Sequence, residues 1–130
     1  MKDIKTGLKG TATVKAENGR LASAMGSGCL DVFATPAMIA LMENAACNAL
    51  EDFLEGDETT VGTALDVQHL SATPEGMDVT AEAVLTDVNG REFTFDVTAS
   101  DEAGLIGKGT HKRFLVYSGK FLEKTQSKLK

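Results

Sequence analysis

One change of hydrophobic period constrains this chain more than any other feature. Between Pro36 and Leu54 the apolar residues recur at helical spacing, and from Val61 to Tyr117 they recur at a spacing of two. At 100° per residue, Met38, Ile39, Leu41, Met42, Ala45, Ala46, Ala49, Leu50 and Phe53 fall on one broad arc, with Asn44, Asn48, Glu51 and Asp52 opposite. Thr35 followed by Pro36 reads as an N-cap and a proline in the first turn. The arc is rich in alanine, so another element can approach it closely. Glu43 lies at its edge and is the one carboxylate that touches the apolar side.

The period-two region divides into strands at 61–69, 77–88, 91–100 and 105–117. Val61, Leu65, Val67 and His69 are expected on one strand face, and Phe93, Phe95 and Val97 on another. Pro74-Glu75-Gly76 and residues 101–104 read as turns, and Asn89-Gly90 predicts a type I′ hairpin. Ahead of the helix, residues 1–10 read as an arm, 11–15 as an edge strand and 22–31 as a Gly-rich loop. The tail, 118–130, reads as a short amphipathic helix anchored by Phe121 and Leu122.

The order is strand, loop, long helix, then four antiparallel strands, which is an α+β layer arrangement. The length of 130 residues suits one domain spanning 1–130. A long helix wrapped by a curved antiparallel sheet is the arrangement of the hotdog fold. Its strand edges and broad apolar helix arc favour a homodimer.

Composition removes several classes. With 42% hydrophobic and 25% charged residues, the chain is an ordinary globular one rather than a disordered or coiled-coil one. No apolar run reaches the roughly 18–20 residues that cross a bilayer, so no membrane partner is expected. The run MKDIKTGLKG lacks the apolar stretch of a signal peptide, and a cytoplasmic location is expected. A net charge of −6 argues against a general nucleic-acid binder. Cys29 and Cys47 are too few for a disulfide framework and are read as free thiols. Together with His69 and His111 they show no zinc-site spacing, so no metal and no cofactor is expected.

Three polar side chains carry possible chemistry. Thr35 sits at a helix start, where unpaired N–H groups can hold an oxyanion; its simpler role is the cap. Glu43 is a base or nucleophile if its surroundings are semi-apolar, and a partly solvated carboxylate otherwise. His69 is a proton shuttle or a hydrogen-bonded core histidine. Hydroxyl, carboxylate and imidazole are the parts needed for acyl transfer. Gly62 admits close backbone approach, and its N–H can face a carbonyl oxygen.

The run Val32-Phe33-Ala34-Thr35-Pro36-Ala37-Met38-Ile39-Ala40-Leu41-Met42-Glu43 is followed by Val61-Gly62-Thr63-Ala64-Leu65-Asp66-Val67-Gln68-His69 and Ala72-Thr73-Pro74. With Ile106-Gly107-Lys108-Gly109-Thr110-His111-Lys112-Arg113 they resemble the fluoroacetyl-CoA thioesterase-like family of hotdog proteins, over about residues 32–117. The resemblance implies a dimeric acyl-CoA thioesterase with a Thr-Glu-His group at Thr35, Glu43 and His69, and coenzyme A entering as part of the substrate. Glu43 would be nucleophile or base, Thr35 would position and activate, and His69 would assist proton transfer to the leaving thiolate. Gly62 corresponds to an active-site glycine. The fluoroacetyl-specific enzyme carries a phenylalanine lid shortly before this run. Here Gly26-Ser27-Gly28-Cys29-Leu30-Asp31 stands in its place, with no aromatic before Phe33. Cys29 and Leu30, with Phe33, are therefore expected to line a wider acyl pocket for a small or medium acyl group.

His111 and Arg113 share a strand parity, and read either as a solvated strand end or as a site for CoA phosphates. Charge distribution allows the second reading. Residues 106–130 carry seven basic residues and one acid, against six basic and 18 acidic residues before them. A non-catalytic acyl-CoA or small-metabolite binder on the same fold is the main alternative. A hotdog hydratase is the weaker one, because its His-Gly strand signature is missing.

Overall fold

The computed structural model describes residues 1–129. Its elements are β1 (Lys9–Lys15), α1 (Ala22–Met25), α2 (Thr35–Leu50), β2 (Glu58–His69), β3 (Asp78–Asn89), β4 (Glu92–Asp101), β5 (Gly104–Tyr117) and α3 (Ser118–Gln126). Single 3₁₀ turns occur at Asn18–Arg20, Glu51–Phe53 and Ser127–Leu129. The five strands form one antiparallel sheet in the order β1-β3-β4-β5-β2. The curled sheet holds α2 on its inner face, which is the hotdog architecture.

The alanine-rich arc sets how closely helix and sheet pack. Ala37, Met38, Leu41, Met42, Ala45, Ala46, Ala49 and Leu50 are the buried residues of α2. They meet Val79, Ala81, Ala83 and Leu85 of β3 and Phe93, Phe95, Val97 and Ala99 of β4 in one core. At Gly10, the β1 backbone lies directly on the helix: a Cβ there would collide with backbone atoms of Ala45 and Ala49. Small residues on both sides make that approach possible.

Several expected details differ. Residues 22–31 contain one helical turn, α1, closed by Gly26 at φ +71. The long helix ends at Leu50 and tightens to a 3₁₀ turn through Phe53. Glu51 and Asp52 put negative charge there, at the end of the helix dipole that disfavours it. The β3–β4 hairpin turns on Gly90-Arg91, between the paired Asn89 and Glu92. Gly90 has φ +64, and Arg91 is not among the positive-φ residues, so only the first central position needs glycine, as in a II′ turn. Phe121 and Leu122 are not anchors: α3 buries no residue, and the two are 39% and 57% exposed.

The difference that matters for function is in β2. The β2–β5 register slips between Gly62 and Ala64, leaving Thr63 as an extra residue. One extra residue reverses strand parity. Gly62, opposite Arg113, therefore joins Leu65, Val67 and His69 on the inner face, and Val61, opposite Phe114, turns to the outer one.

Candidate active site

Thr35 is the first residue of α2, and Ala34 takes the N-cap position without a side-chain cap. Extended bridges from Leu21 to Phe33 and from Val32 to Pro74 carry the chain straight up to this point. The freed hydroxyl of Thr35 instead meets Nδ1 of His69 at 2.7 Å. His69 ends β2, and Nε2 of its ring is buried without a hydrogen bond to any described residue. Burial holds the imidazole below its ordinary pKa; the Ser71 backbone lies near enough to oppose this in part but makes no hydrogen bond to the ring. Neutral His69 has one N–H and one lone pair. If the Thr35 hydroxyl donates to Nδ1, the proton sits on Nε2.

This pair opens on a cavity of about 370 Å³. Cys29, Leu30 and Phe33 line it, with Ser27, Leu70 and Ala72 among the remaining walls. Phe33 is fully buried, whereas Leu30 is 69% exposed at the rim and Cys29 is also exposed. The walls are mostly small and apolar, and the threonine–histidine pair shares them with the hydroxyls of Ser27 and Ser71.

Glu43 belongs to a second cluster. It lies two turns along α2 from Thr35, about 12 Å by helical rise, and does not line that cavity. Its Oε2 faces Nη1 of Arg113 at 3.5 Å. Arg113 is buried and held on three sides. Its Nε donates to Thr60 Oγ1 at 2.9 Å, its Nη2 to the Thr60 carbonyl at 3.0 Å, and its Nη1 lies 3.2 Å from His111 Nε2. His111, 1% exposed, reaches the Ala64 carbonyl with Nδ1 at 2.9 Å and stacks on Phe95. Gly62 completes the cluster, since a Cβ there would come within 2.6 Å of Glu43 Oε2. Only glycine lets the edge strand pass this close to the carboxylate.

These positions correct the phosphate reading of His111 and Arg113. Their shared parity is real, but the face they share is the core face. Arg113 spends its donors on Thr60, His111 and Glu43, and a buried guanidinium so occupied cannot reach a solvated phosphate. Thr60, which holds two of the three guanidinium nitrogens, was not legible as a site residue. It is a strand threonine whose role depends on a partner 53 residues away. Within one chain, then, Thr35 meets His69, and Glu43 meets Gly62, His111 and Arg113, but the two groups do not meet each other.

Residues 15–119 match the family described as fluoroacetyl-CoA-specific thioesterase. The chain belongs to this family. The fluoroacetyl-CoA thioesterase of Streptantibioticus cattleyicolor is 43% identical over 98 residues, which is 75% of this chain and 70% of that protein. A structure of the fluoroacetyl-CoA thioesterase FlK superposes with a TM-score of 0.92 at 33% identity, covering 98% of each chain. A thioesterase-superfamily member from Thermus thermophilus superposes with a TM-score of 0.89 at 26% identity, covering 99% of this chain and 95% of that one. Among the described residues no helix is long and apolar enough to cross a membrane.

Proposed function

We propose that this chain hydrolyses the thioester of a small or medium acyl-CoA to free acid and coenzyme A. The observation that carries the reading is the Thr35–His69 pair opening on an apolar cavity, with an unpaired buried nitrogen on the histidine. A pure binder has no use for that pair together with a carboxylate stationed by a buried arginine. The two free thiols, Cys29 and Cys47, fit a reducing compartment such as the cytoplasm.

The working unit of the proposal is a homodimer. β2 is a twelve-residue edge strand that pairs on one side only, with β5. Residues 62–66 of this strand are all exposed. A long exposed edge is an adhesive surface unless something covers it. Antiparallel self-pairing about a two-fold axis between Leu65 and Asp66 sets Gly62 of one copy against His69 of the other. The same axis brings Glu43 of one protomer towards Thr35 and His69 of the next. The complete Thr-Glu-His group then occurs twice per dimer, each time shared between two chains.

In that site Glu43 either takes a proton from a water aimed at the thioester carbonyl carbon, or attacks that carbon itself to release CoA and form an anhydride that water then cleaves to the free acid. With water, the hydroxide adds to carbon, the C–S bond breaks, and the electron pair leaves with sulfur. His69, neutral with its N–H on Nε2 when Thr35 donates to Nδ1, hydrogen-bonds the departing sulfur through that N–H, and the proton taken up by Glu43 passes to the thiolate. The Gly62 N–H and the helix start at Thr35 are the groups suited to the developing oxyanion. Cys29, Leu30 and Phe33 line the acyl pocket, and a fluoroacetyl preference is not part of the proposal. A panel of acyl-CoAs of increasing length tests it. Glu43→Gln and His69→Ala should each lower turnover of the best substrate by about 10²–10⁴-fold. Parental rates in both variants would refute the mechanism.

A further inference from the structure

His111 lies outside the catalytic trio, yet the partners of its ring fix its chemical state. The Ala64 carbonyl can only accept a hydrogen bond, so Nδ1, 2.9 Å away, must carry the proton. A guanidinium can only donate, so Nε2, 3.2 Å from Arg113 Nη1, must offer its lone pair. An imidazolium would instead aim an N–H at a cation in a buried site, and burial together with Arg113 disfavours it. Arg113 Nη1 has two hydrogens. One goes to His111, which leaves the other directed to Glu43 Oε2. The Ala64 contact sits at the far end of the β2 bulge, immediately after Gly62 and Thr63.

We propose that His111 is a positioning residue that, as a neutral Nδ1–H imidazole, ties the Gly62 bulge to the Arg113 guanidinium and so sets where the Glu43 carboxylate stands. It touches no substrate. One ring spans the two devices on which the carboxylate depends: the arginine that pairs with it, and the glycine whose missing Cβ makes room for it. Packing alone does not explain the residue, because a phenylalanine would stack on Phe95 equally well and satisfy neither partner.

The inference rests on the thioesterase reading, and two amides separate its parts. Asn can reproduce the Nδ1 donor towards Ala64 but offers nothing at the Nε2 position. Gln can place its carbonyl oxygen where Nε2 accepts from Arg113. His111→Asn should therefore lower kcat by about 10–100-fold with KM changed little, the cost of a carboxylate moved by an ångström or less. His111→Gln should recover most of that loss. Equal kcat in the two variants, or a loss confined to KM, would overturn the assignment. Nitrogen NMR of the parent supplies a readout that needs no turnover. A protonated Nδ1 and bare Nε2 at His111 are expected, and the opposite tautomer or an imidazolium near neutral pH overturns the proposal. An inactive parent would instead overturn the thioesterase reading and leave the NMR result to decide this one.

Discussion

Gly62→Ala separates the demands of folding from those of catalysis. The added Cβ would stand 2.6 Å from Glu43 Oε2, 3.3 Å from His111 Cε1 and 3.4 Å from Arg113 Nη1. Ordinary contact begins near 3.4 Å, so only the carboxylate oxygen must move far, by about 0.8 Å. That oxygen ends a flexible side chain that is already 37% exposed, so it can swing aside cheaply. We expect stability to change by no more than about 1 kcal/mol, or about 5 °C in Tm for a chain of this size. Activity should respond differently. An ångström of misplacement in a reacting group costs about 10²-fold, which corresponds to about 2.7 kcal/mol of barrier. The assay is release of CoA thiol from the best acyl-CoA, with the signal of the two protein cysteines subtracted, beside a thermal melt. Parental kcat with an unchanged Tm would show that the carboxylate's position is immaterial and refute the reasoning. A large fall in Tm would show that Gly62 serves the fold instead.

Gly10→Ala should show the opposite pattern. Its Cβ meets helix backbone rather than a side-chain end, so the denaturation midpoint should drop by an amount equivalent to about 1–3 kcal/mol or more. Cys29→Phe should narrow the acyl cavity. The kcat/KM ratio of butyryl-CoA to acetyl-CoA should fall by about 10–200-fold, the range that one or two methylenes command in an apolar pocket. Acid should destabilise the protein through its histidines. Burial holds both His69 and His111 below the ordinary value of 6.5, so the folded chain binds fewer protons than the unfolded one. Their contribution to stability is complete above about pH 6.5, and is lost as pH falls from there towards the depressed folded values. Urea midpoints measured against pH should show this slope, and His111→Gln should make it shallower.

The helix, the β3-β4-β5 meander and the inner face of β4 were legible because their patterns are local, whereas β2, expected beside β3, crosses to pair with β5 and leaves the β3 edge to β1. Phe93, Phe95 and Val97 alternate without interruption and fall where alternation puts them. Three features of the site were not legible, and each depends on something distant. Pattern alone made Thr35 a cap, because a threonine before a proline caps helices, and only the family resemblance placed it in a group with Glu43 and His69. His69, 34 residues away, instead claims its hydroxyl. Val61 was assigned to the face of Leu65, Val67 and His69, which Gly62 takes instead, because an unpaired residue at Thr63 leaves no compositional trace. His111 and Arg113 were correctly placed on one face. That this face is buried follows only from Thr60 and Glu43 meeting the guanidinium. The hairpin differs for a smaller reason: Gly90 supplies the positive φ in either register, and pairing of Asn89 with Glu92 selects one.

The central claim is that each active site is shared between two protomers, and subunit mixing tests it directly. Thr35→Ala and Glu43→Gln chains, each inactive alone, would be unfolded together and refolded as a mixture. If Thr35 and His69 of one copy work with Glu43 of the other, every mixed dimer holds one intact site and one doubly impaired site. Random pairing makes half of the dimers mixed, so activity should return to about a quarter of the parental value. If the site lies within one chain, every protomer in the mixture carries a lesion. Activity would then stay at the level of the separate variants and contradict the account.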